Sequence, residues 1–276
     1  MHHDTLQPYV RARLQNGISP GTINRDLAVV RRILNLAARL WRDEADRPWL
    51  TTAPLIQMQR HPNKREPYPL SIDEERLLFS ELSGHLASIA LFKVNTGLRE
   101  QEVVNLSWQW EVRVPELDTS IFVVPRGFVK NGLDRYVVLN RVARSVVESC
   151  RGKHPERVFT RKGRALTKIY NSGWKAARRR AAERYLKEFG RSCPQGFRAL
   201  RVHDLKHTFG HRLRAAGIGF EDRKVLLGHK SDHVTTYYSA PEIGMLIAAA
   251  ERVCELGSRK SHALSLVRAP QATLSL

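Results

Sequence analysis

The 276-residue sequence contains few cysteines, no long apolar run and far fewer acidic than basic side chains. Its three cysteines are widely spaced and odd in number, which fits neither a disulfide framework nor a cysteine-based zinc site. The longest apolar stretches, residues 86–92 and 245–250, are much shorter than the ~20 residues that span a bilayer. No apolar leader flanked by lysine opens the chain. We therefore expect a cytoplasmic protein in a reducing compartment, with no membrane partner.

The shortage of acidic residues is concentrated in one part of the chain. The sequence has 46 Lys and Arg against 27 Asp and Glu, a formal net charge of +19. Residues 151–214 hold 19 basic and four acidic side chains, which accounts for +15 of that total. Such a block favours nucleic acid as a partner, because each neutralised phosphate releases a counterion. The alternative is a solvated helical face.

Length and patterning indicate two domains, because 276 residues exceed the ~150 typical of one domain. Residues 19–42 predict an amphipathic helix with Ser19 as N-cap and Pro20 at its first position. Its apolar residues recur at helical spacing. The opposite face, free to meet phosphates, carries three arginines seven residues apart: Arg25, Arg32 and Arg39. Residues 51–69 contain four prolines and keep no period, which indicates an interdomain linker.

A second domain begins after this linker. Ser71 and Glu74 are typical of a capping box, which opens a helix. Runs of β-forming residues predict a small antiparallel sheet over residues 110–114, 121–124 and 135–139. The Asn131-Gly132 pair predicts the turn between the last two strands. Helical periods cover residues 85–95, 142–150, 168–189, 203–216, 220–227 and 241–256.

The densest polar cluster, His203-Asp204-Leu205-Lys206-His207, allows more than one interpretation. Its H-D-x-x-H spacing is similar to the H-E-x-x-H motif of zinc hydrolases. Asp is one methylene shorter than the glutamate base of that motif, the sequence signals no third ligand, and the surrounding positive charge disfavours a divalent cation. We therefore expect no metal and no other cofactor. The non-functional alternative is that His207 and His211 are packed or surface residues.

Four further motifs follow one another along the chain. The segments are Thr96-Gly97-Leu98-Arg99-Glu100-Gln101-Glu102, Lys130-Asn131-Gly132, His203-Asp204-Leu205-Lys206-His207-Thr208-Phe209, and Leu227-Gly228-His229 with Tyr238. Taken together and in order, these segments resemble those of the tyrosine recombinase (phage integrase) family. They are similar, in that order, to the family's T-G-x-R-x-x-E box, its turn lysine, its H-D-L-R-H-T-F box, and its L-G-H box with a tyrosine nine residues later. Residues 1–60 are also similar to the family's core-DNA-binding domain, particularly at Thr22-Ile23-Asn24-Arg25.

The resemblance implies a mainly α fold with a small antiparallel three-stranded sheet. A tyrosine-recombinase-like catalytic domain is joined to a small helical (SAM-like) core-binding domain. The implied boundaries are 1–60 for the core-DNA-binding domain, which is short at its N-terminus, 61–69 for the linker, 70–257 for the catalytic domain and 258–276 for a loosely ordered tail. An arm-type DNA-binding domain is not expected.

The resemblance also implies roles for the matching side chains. Those that it assigns to catalysis are Arg99, Lys130, His203, Lys206, His229 and Tyr238. Moving a DNA phosphodiester onto a protein hydroxyl builds negative charge on the non-bridging oxygens, so cations suit such a site. The tyrosine is the nucleophile, His203 assists its phenolate and Lys130 protonates the leaving 5′-oxygen. Glu102, three residues after Arg99, lies on the same helical side and is expected to orient that arginine.

Two positions leave alternatives open. The family spacing selects Tyr238 over Tyr237, and adjacent helical residues point about 100° apart, so both cannot reach one phosphate. Lys206 stands where the family has an arginine, and lysine offers a point charge instead of a bidentate fork. We expect reduced but not absent turnover.

The activity that the resemblance implies is site-specific DNA recombination through a covalent 3′-phosphotyrosine intermediate. The alternatives are a non-catalytic or impaired DNA-binding relative and a nicking-closing enzyme similar to type IB topoisomerases. The implied partners are double-stranded DNA, further copies of the chain in a tetrameric synapse, and DNA-bending accessory proteins, with a monomer when free and a nucleoid-associated location. The apolar C-terminal helix either packs on its own domain or docks on a neighbouring protomer.

Overall fold

The structure, a computed structural model, describes residues 3–60, 65–229 and 240–255. Part of the predicted linker, residues 61–64, and the whole predicted tail, residues 258–276, lie outside the described residues. None of the described helices is both long enough and apolar enough to cross a membrane.

The chain divides into two compact units, Met1–Glu66 and Pro67–Leu276. The first unit is built on two helices, α1 (His3–Gln15) and α2 (Pro20–Arg39). Their apolar faces enclose a small core of Leu6, Val10, Ile23, Leu27 and Ile56. The sequence analysis did not predict α1, which contains Pro8, a residue type that usually interrupts helices.

The start of α2 is confirmed as predicted. The Ser19 hydroxyl accepts a hydrogen bond from the backbone N–H of Thr22 at 3.3 Å, and Pro20 occupies the first helical position, where a missing N–H costs nothing. The helix ends earlier than residue 42, at Arg39. The face opposite the core carries the three predicted arginines, all of them exposed: Arg25, Arg32 and Arg39.

The second unit is mainly helical with a small antiparallel sheet, which confirms the predicted fold class. Its helices are α3 (Ile72–Glu81), α4 (Gly84–Thr96), α5 (Glu100–Val104), α6 (Arg141–Cys150), α7 (Ser172–Phe189), α8 (Gln195–Arg198), α9 (Asp204–Ala215), α10 (Phe220–Leu226) and α11 (Ala240–Glu255). Its strands are β1 (Glu111–Val114), β2 (Thr119–Val124) and β3 (Arg135–Val137), with a separate hairpin of β4 (Thr160–Arg161) and β5 (Arg164–Ala165). The predicted capping box opens α3: Ser71 Oγ accepts from the Glu74 N–H at 3.2 Å, and Glu74 Oε2 accepts from the Ser71 N–H at 3.0 Å.

The three-stranded sheet has β2 at its centre, antiparallel to β1 and β3. Because successive residues of a strand point to opposite faces, β2 contributes to two cores. Phe122 and Val124 belong to the main core, whereas Ile121 belongs to a second core formed with α9, α10 and α11. The sheet therefore holds α4 on one side and the C-terminal helices on the other, with the loop 125–134 between β2 and β3.

The helix α7 begins later than the sequence pattern predicted. The pattern placed its start at residue 168, which is wrong, because the helix starts at Ser172. The carboxylate of Glu100 accepts the backbone N–H groups of Ile169 at 2.5 Å and Tyr170 at 3.0 Å, which holds these residues outside the helix. The helix then begins after Asn171, whose side-chain oxygen caps its first turn.

The C-terminal helix α11 carries the predicted apolar stripe and buries it on its own unit. Ile243, Leu246, Ala250 and Val253 are buried in the second core, against α9 and α10. Of the two alternatives for this helix, packing on its own domain is the arrangement that the structure contains.

Candidate active site

The turn that follows α4 delivers the first predicted site residue. Gly97 has φ +63°, in the left-handed region, and a Cβ there would lie 2.7 Å from Cδ1 of Phe209 on α9. Only glycine lets the turn adopt this conformation and approach α9 so closely. Arg99 follows at the N-terminus of α5, so it is anchored between two packed helices.

Arg99 is held by the buried carboxylate of Glu102, as their spacing predicted. Arg99 Nη1 donates to Glu102 Oε1 at 2.9 Å, and the Arg99 backbone N–H donates to Glu102 Oε2 at 2.8 Å. Arg99 Nη2 also reaches the carbonyl oxygen of Gly228 at 3.4 Å. The Glu102 side chain is 2% exposed and that of Arg99 is 25% exposed. The guanidinium is therefore fixed on its inner side and remains accessible on its outer side.

The start of α9 presents His203 and Lys206. Lys206 is buried, and its Nζ donates to the carbonyl oxygen of Leu227. Burial and the nearby guanidinium groups lower the pKa of Lys206 to about 6, so its amine is mostly neutral at pH 7. Desolvation of the His203 ring, together with the positive charge of Lys93, lowers the pKa of His203 to about 4.

His229 follows the left-handed Gly228, which ends the segment after α10. Desolvation, then the charges of Lys206 and Arg99, lower the pKa of His229 below its ordinary value. The histidine is therefore electrostatically coupled to the side chains that α5 and α9 present, although 100 residues or more separate it from Arg99 in the chain.

The site carries more positive than negative charge. Four basic side chains interact electrostatically with Glu102: Lys93, Arg99, Arg135 and Lys206. Burial first, and then the charges of Arg135 and Arg99, lower the pKa of Lys206, and an anion bound beside Arg99 would offset those charges. The arrangement is thus suited to bind an anion with several oxygen atoms, such as a phosphodiester.

Lys130 lies on the loop between β2 and β3. Lys130 is exposed on a turn closed by the hydrogen bond from Gly132 N–H to the Val129 carbonyl at 3.1 Å, as the Asn-Gly pair predicted. Within the described part of the chain, no hydrogen bond or ion pair links Lys130 to Arg99. Tyr238 and its neighbour Tyr237 lie outside the described residues.

Two buried basic residues near the site were not predicted from the sequence. Arg135 is almost completely buried and forms an ion pair with Glu102. Lys93 is fully buried on α4 and donates from Nζ to the carbonyl of Leu98, next to Arg99. The alternation of β3 contained a signal for the first of these, because Arg135 shares its strand face with the buried Val137.

Asp204, the base in the zinc-hydrolase alternative, uses both carboxylate oxygens to accept backbone N–H groups. Its Oδ2 accepts the backbone N–H of Arg201 at 2.7 Å and its Oδ1 accepts that of Tyr68 at 3.4 Å. The carboxylate therefore holds the backbone just before its own helix and the segment that enters the unit. Among the residues that the structure describes, no three His, Cys, Asp or Glu side chains are grouped as metal ligands.

The basic block 151–214 is partly neutralised by acids from another element. Arg180 and Arg184 of α7 both pair with Glu81 of α3, at 2.7 and 3.0 Å. Arg212 of α9 pairs with Glu75 at 2.5 Å. The net charge of this block along the chain therefore overstates the positive charge that it presents to a partner.

Solved structures with a similar fold are integrases. The chain resembles the Tn1549 transposon integrase in complex with circular intermediate DNA, with a TM-score of 0.60 and 17% identity over 87% of this chain and 82% of that one. It also resembles a lambda integrase dimer bound to a COC′ core site, with a TM-score of 0.56 and 14% identity over 97% of this chain and 68% of that one. The chain therefore has the integrase fold.

Sequence comparison identifies the family. The sequence model of the phage integrase family matches residues 71–243, more than half of the chain. The chain belongs to the phage integrase family, which its motifs predicted. It is 26% identical over 226 residues to the integrase of Salmonella phage P22, an alignment that covers 77% of this chain and 52% of that relative. The chain thus spans about half the length of that relative.

Proposed function

We propose that the chain is a site-specific DNA recombinase that cuts and rejoins DNA through a covalent 3′-phosphotyrosine intermediate. The observation that carries this proposal is the cluster in which the buried carboxylate of Glu102 holds Arg99, and Arg99 interacts electrostatically with Lys206 and His229. A phosphodiester gains negative charge on its non-bridging oxygens during transfer, and preorganised cations stabilise that charge without reorganisation.

In the proposed step, the phenol oxygen of Tyr238 attacks the phosphorus and the bond from phosphorus to the 5′-oxygen breaks. The phenol proton passes to His203, whose lowered pKa keeps its ring neutral in the free protein, and the negative charge of a bound phosphate raises that pKa and so strengthens the base. The leaving 5′-oxygen takes a proton from Lys130. Because the phosphotyrosine ester conserves the bond energy, a 5′-hydroxyl can reverse the step without a nucleotide cofactor.

The side chains of the cluster each contact the phosphate in a different way. Arg99 offers a planar fork to two oxygens, and Glu102 fixes the plane of that fork. Lys206 contributes a single positive charge once it is protonated, and His229 donates a further hydrogen bond. We propose that these side chains supply the positive charge that a metal supplies in other phosphoryl-transfer enzymes.

A second candidate is a DNA-binding relative with weak or no catalysis. It is favoured by Lys206, which is buried, bound to a backbone carbonyl and uncharged near pH 7 in the free protein. A nicking-closing enzyme similar to type IB topoisomerases uses the same chemistry but does not exchange strands between duplexes.

The remaining predictions concern organisation and partners. We propose that residues 1–60 contact double-stranded DNA through the exposed arginines of α2, and that residues 70–257 form the catalytic domain. On DNA, four copies of the chain form a synapse together with DNA-bending accessory proteins, in the nucleoid of the cytoplasm. Without DNA the chain is a monomer. Sedimentation of the protein with and without duplex DNA tests whether it is a tetramer on DNA and a monomer when free.

Covalent capture of DNA tests the activity. Labelled duplexes made from the DNA flanking the gene, each nicked so that a short product diffuses away, are incubated with the protein and separated in SDS. We expect an SDS-resistant adduct that Tyr238→Phe abolishes while duplex binding is retained, with Tyr237→Phe as the matched control. A normal adduct from Tyr238→Phe moves the nucleophile to Tyr237.

Two further outcomes decide between the candidate functions. Binding without any adduct from the unmodified protein supports the non-catalytic candidate. An adduct without strand exchange between two duplexes supports the nicking-closing candidate.

A further inference from the structure

Arg135 is an unusual residue for the first position of a short strand. Its side chain is 3% exposed, and burying a guanidinium costs several kcal/mol unless its donors are paired. Nη1 pairs with Glu102, and Nη2 donates to the carbonyl oxygens of Thr96 at 3.4 Å, Gly97 at 3.2 Å and Leu226 at 3.1 Å. One side chain thus joins β3, the turn after α4 and the end of α10.

The carbonyls of Thr96 and Gly97 lie just before Arg99 in the chain. Thr96 and Gly97 form the left-handed turn from which the chain runs to Arg99 two residues later. Bonds from one guanidinium nitrogen to both carbonyls limit rotation of this turn. The direction in which Arg99 leaves the turn therefore depends on Arg135.

The carbonyl of Leu226 lies just before His229 in the chain. Leu226 ends α10, and a Cβ on Gly228 would lie 2.7 Å from Nε and 2.9 Å from Cδ of Arg135. The guanidinium therefore packs directly on the backbone that leads into His229. The Gly228 carbonyl is also the one that Arg99 Nη2 reaches.

Arg135 also shares its carboxylate partner with Arg99. Glu102 Oε1 accepts from Arg99 Nη1, whereas Glu102 Oε2 accepts from both the Arg99 backbone N–H and Arg135 Nη1. The two arginines hold the carboxylate from different sides and so fix its rotation. Without Arg135, only Arg99 would hold the carboxylate of Glu102, so the guanidinium of Arg99 and the carboxylate could shift together.

We propose that Arg135 is a positioning residue that sets the orientation of Arg99 and the path of the backbone into His229. This inference rests on the proposed function, because it assigns Arg135 to the same phosphate-binding cluster. A lysine at this position retains one charge but lacks the planar set of donors that three segments share. A methionine retains similar length and removes both charge and donors.

Two substrates separate positioning from general loss of structure. The rate of covalent adduct formation is measured in single turnover for Arg135→Lys and Arg135→Met on a nicked duplex with a normal phosphodiester. The same duplex with a methylphosphonate at the scissile linkage serves as the second substrate. Methylphosphonate lacks one non-bridging oxygen charge, so correct placement of Arg99 matters less for it. Arg113→Met, an exposed arginine on β1, is the control for loss of charge from the sheet.

We expect Arg135→Met to slow adduct formation on the phosphodiester by about 100-fold, the loss typical of one misplaced charge-stabilising donor. On methylphosphonate we expect a loss of about tenfold or less, with duplex affinity within about threefold of the unmodified protein on both. Arg135→Lys should fall between these values, and Arg113→Met should match the unmodified protein. Equal losses for Arg135→Met on the two substrates would overturn the proposal.

A double-mutant cycle covers the case in which Arg135→Met does not fold. Arg99→Lys, Arg135→Lys and the double variant retain both charges and are checked by thermal melting. If Arg135 acts through Arg99 as well as through the backbone before His229, the loss in the double variant is smaller than the product of the two single losses, whereas fully multiplied losses contradict the proposal. An unmodified protein that forms no adduct on the phosphodiester defeats the proposed function itself, and the role of Arg135 with it.

Discussion

Two places in the second unit contain two arginines that share one glutamate, and they differ in burial. On the surface, Arg180 and Arg184 share Glu81, and the two arginine side chains are 48% and 45% exposed. At the candidate site, Arg99 and Arg135 share Glu102, whose side chain is 2% exposed. Similar ion pairs therefore lie in water in one place and inside the protein in the other.

The difference shows why charge counted along the chain does not locate the site. In the surface trio of Arg180, Arg184 and Glu81, both arginines lie in the basic block 151–214. In the buried trio of Arg99, Arg135 and Glu102, all three residues lie outside that block. The surface trio is screened by solvent. In the buried trio, the charges of Arg135 and Arg99 add to the effect of burial and lower the pKa of the neighbouring Lys206. Burial and unequal charge, more than the number of arginines, distinguish the functional cluster.

The largest expected effect compares the two glutamates directly. Glu102→Gln leaves two arginines, one of them fully buried, without a counter-charge, and we expect the free energy of unfolding to fall by about 3–5 kcal/mol. Glu81→Gln, its matched control on the surface, should cost about 1 kcal/mol or less. Urea denaturation followed by circular dichroism measures both. Similar values for the two variants would erase the distinction between the trios.

The second effect is a pH dependence of DNA binding, which we expect from the buried cluster and not from the surface trio. Lys206 has its pKa lowered to about 6, so its amine is uncharged at pH 8, and an adjacent phosphate raises that pKa. Binding then takes up a proton, and affinity should rise as pH falls from 8 to 6, by up to about tenfold per pH unit. Fluorescence anisotropy of a labelled duplex at constant ionic strength measures the dissociation constant.

The lysine responsible can be identified with two variants. Lys206→Arg stays charged at every pH used and should flatten this dependence, since the guanidinium takes up no proton. Lys187→Arg, on the exposed end of α7, should leave it unchanged. A slope that survives Lys206→Arg assigns the proton to another group.

The third effect concerns the rate of cleavage. Lys206→Arg restores a bidentate donor beside Arg99, and we expect adduct formation to accelerate by about tenfold because the fork matches two phosphate oxygens. The measurement is single-turnover adduct formation on the nicked duplex, with thermal melting to check that the larger side chain fits. An unchanged rate would show that the fork is irrelevant in this protein.

The smallest effect concerns the surface trio. Arg184→Gln removes one exposed ion pair, and we expect stability to change by less than about 1 kcal/mol and the adduct rate to stay unchanged. Duplex affinity should change by less than about threefold, since the arginine is already paired with Glu81. A large loss of affinity together with a weaker salt dependence would place this face against DNA and restore the interpretation of the basic block.

Local features of the fold were predictable because their hydrogen bonds close within one turn of chain. The Ser19 cap, the Ser71–Glu74 capping box and the turn at Gly132 each depend on residues three positions apart. The contact of Arg99 with Glu102 has the same origin, three residues apart on a helical turn. The start of α7 was mispredicted because Glu100, some 70 residues away, competes for its first N–H groups.

The sequence alone determined the family, the fold class, the helix starts that have their own caps, and the order of the motifs that carry phosphate-binding side chains. Tertiary structure alone decided that Arg135 pairs with Glu102 and with the carbonyl of Leu226, that Glu81 neutralises arginines of α7, and that α11 packs on its own unit. The physical reason is distance along the chain. Burial and ion pairing between residues tens to hundreds of positions apart follow from packing, which no local period or spacing records.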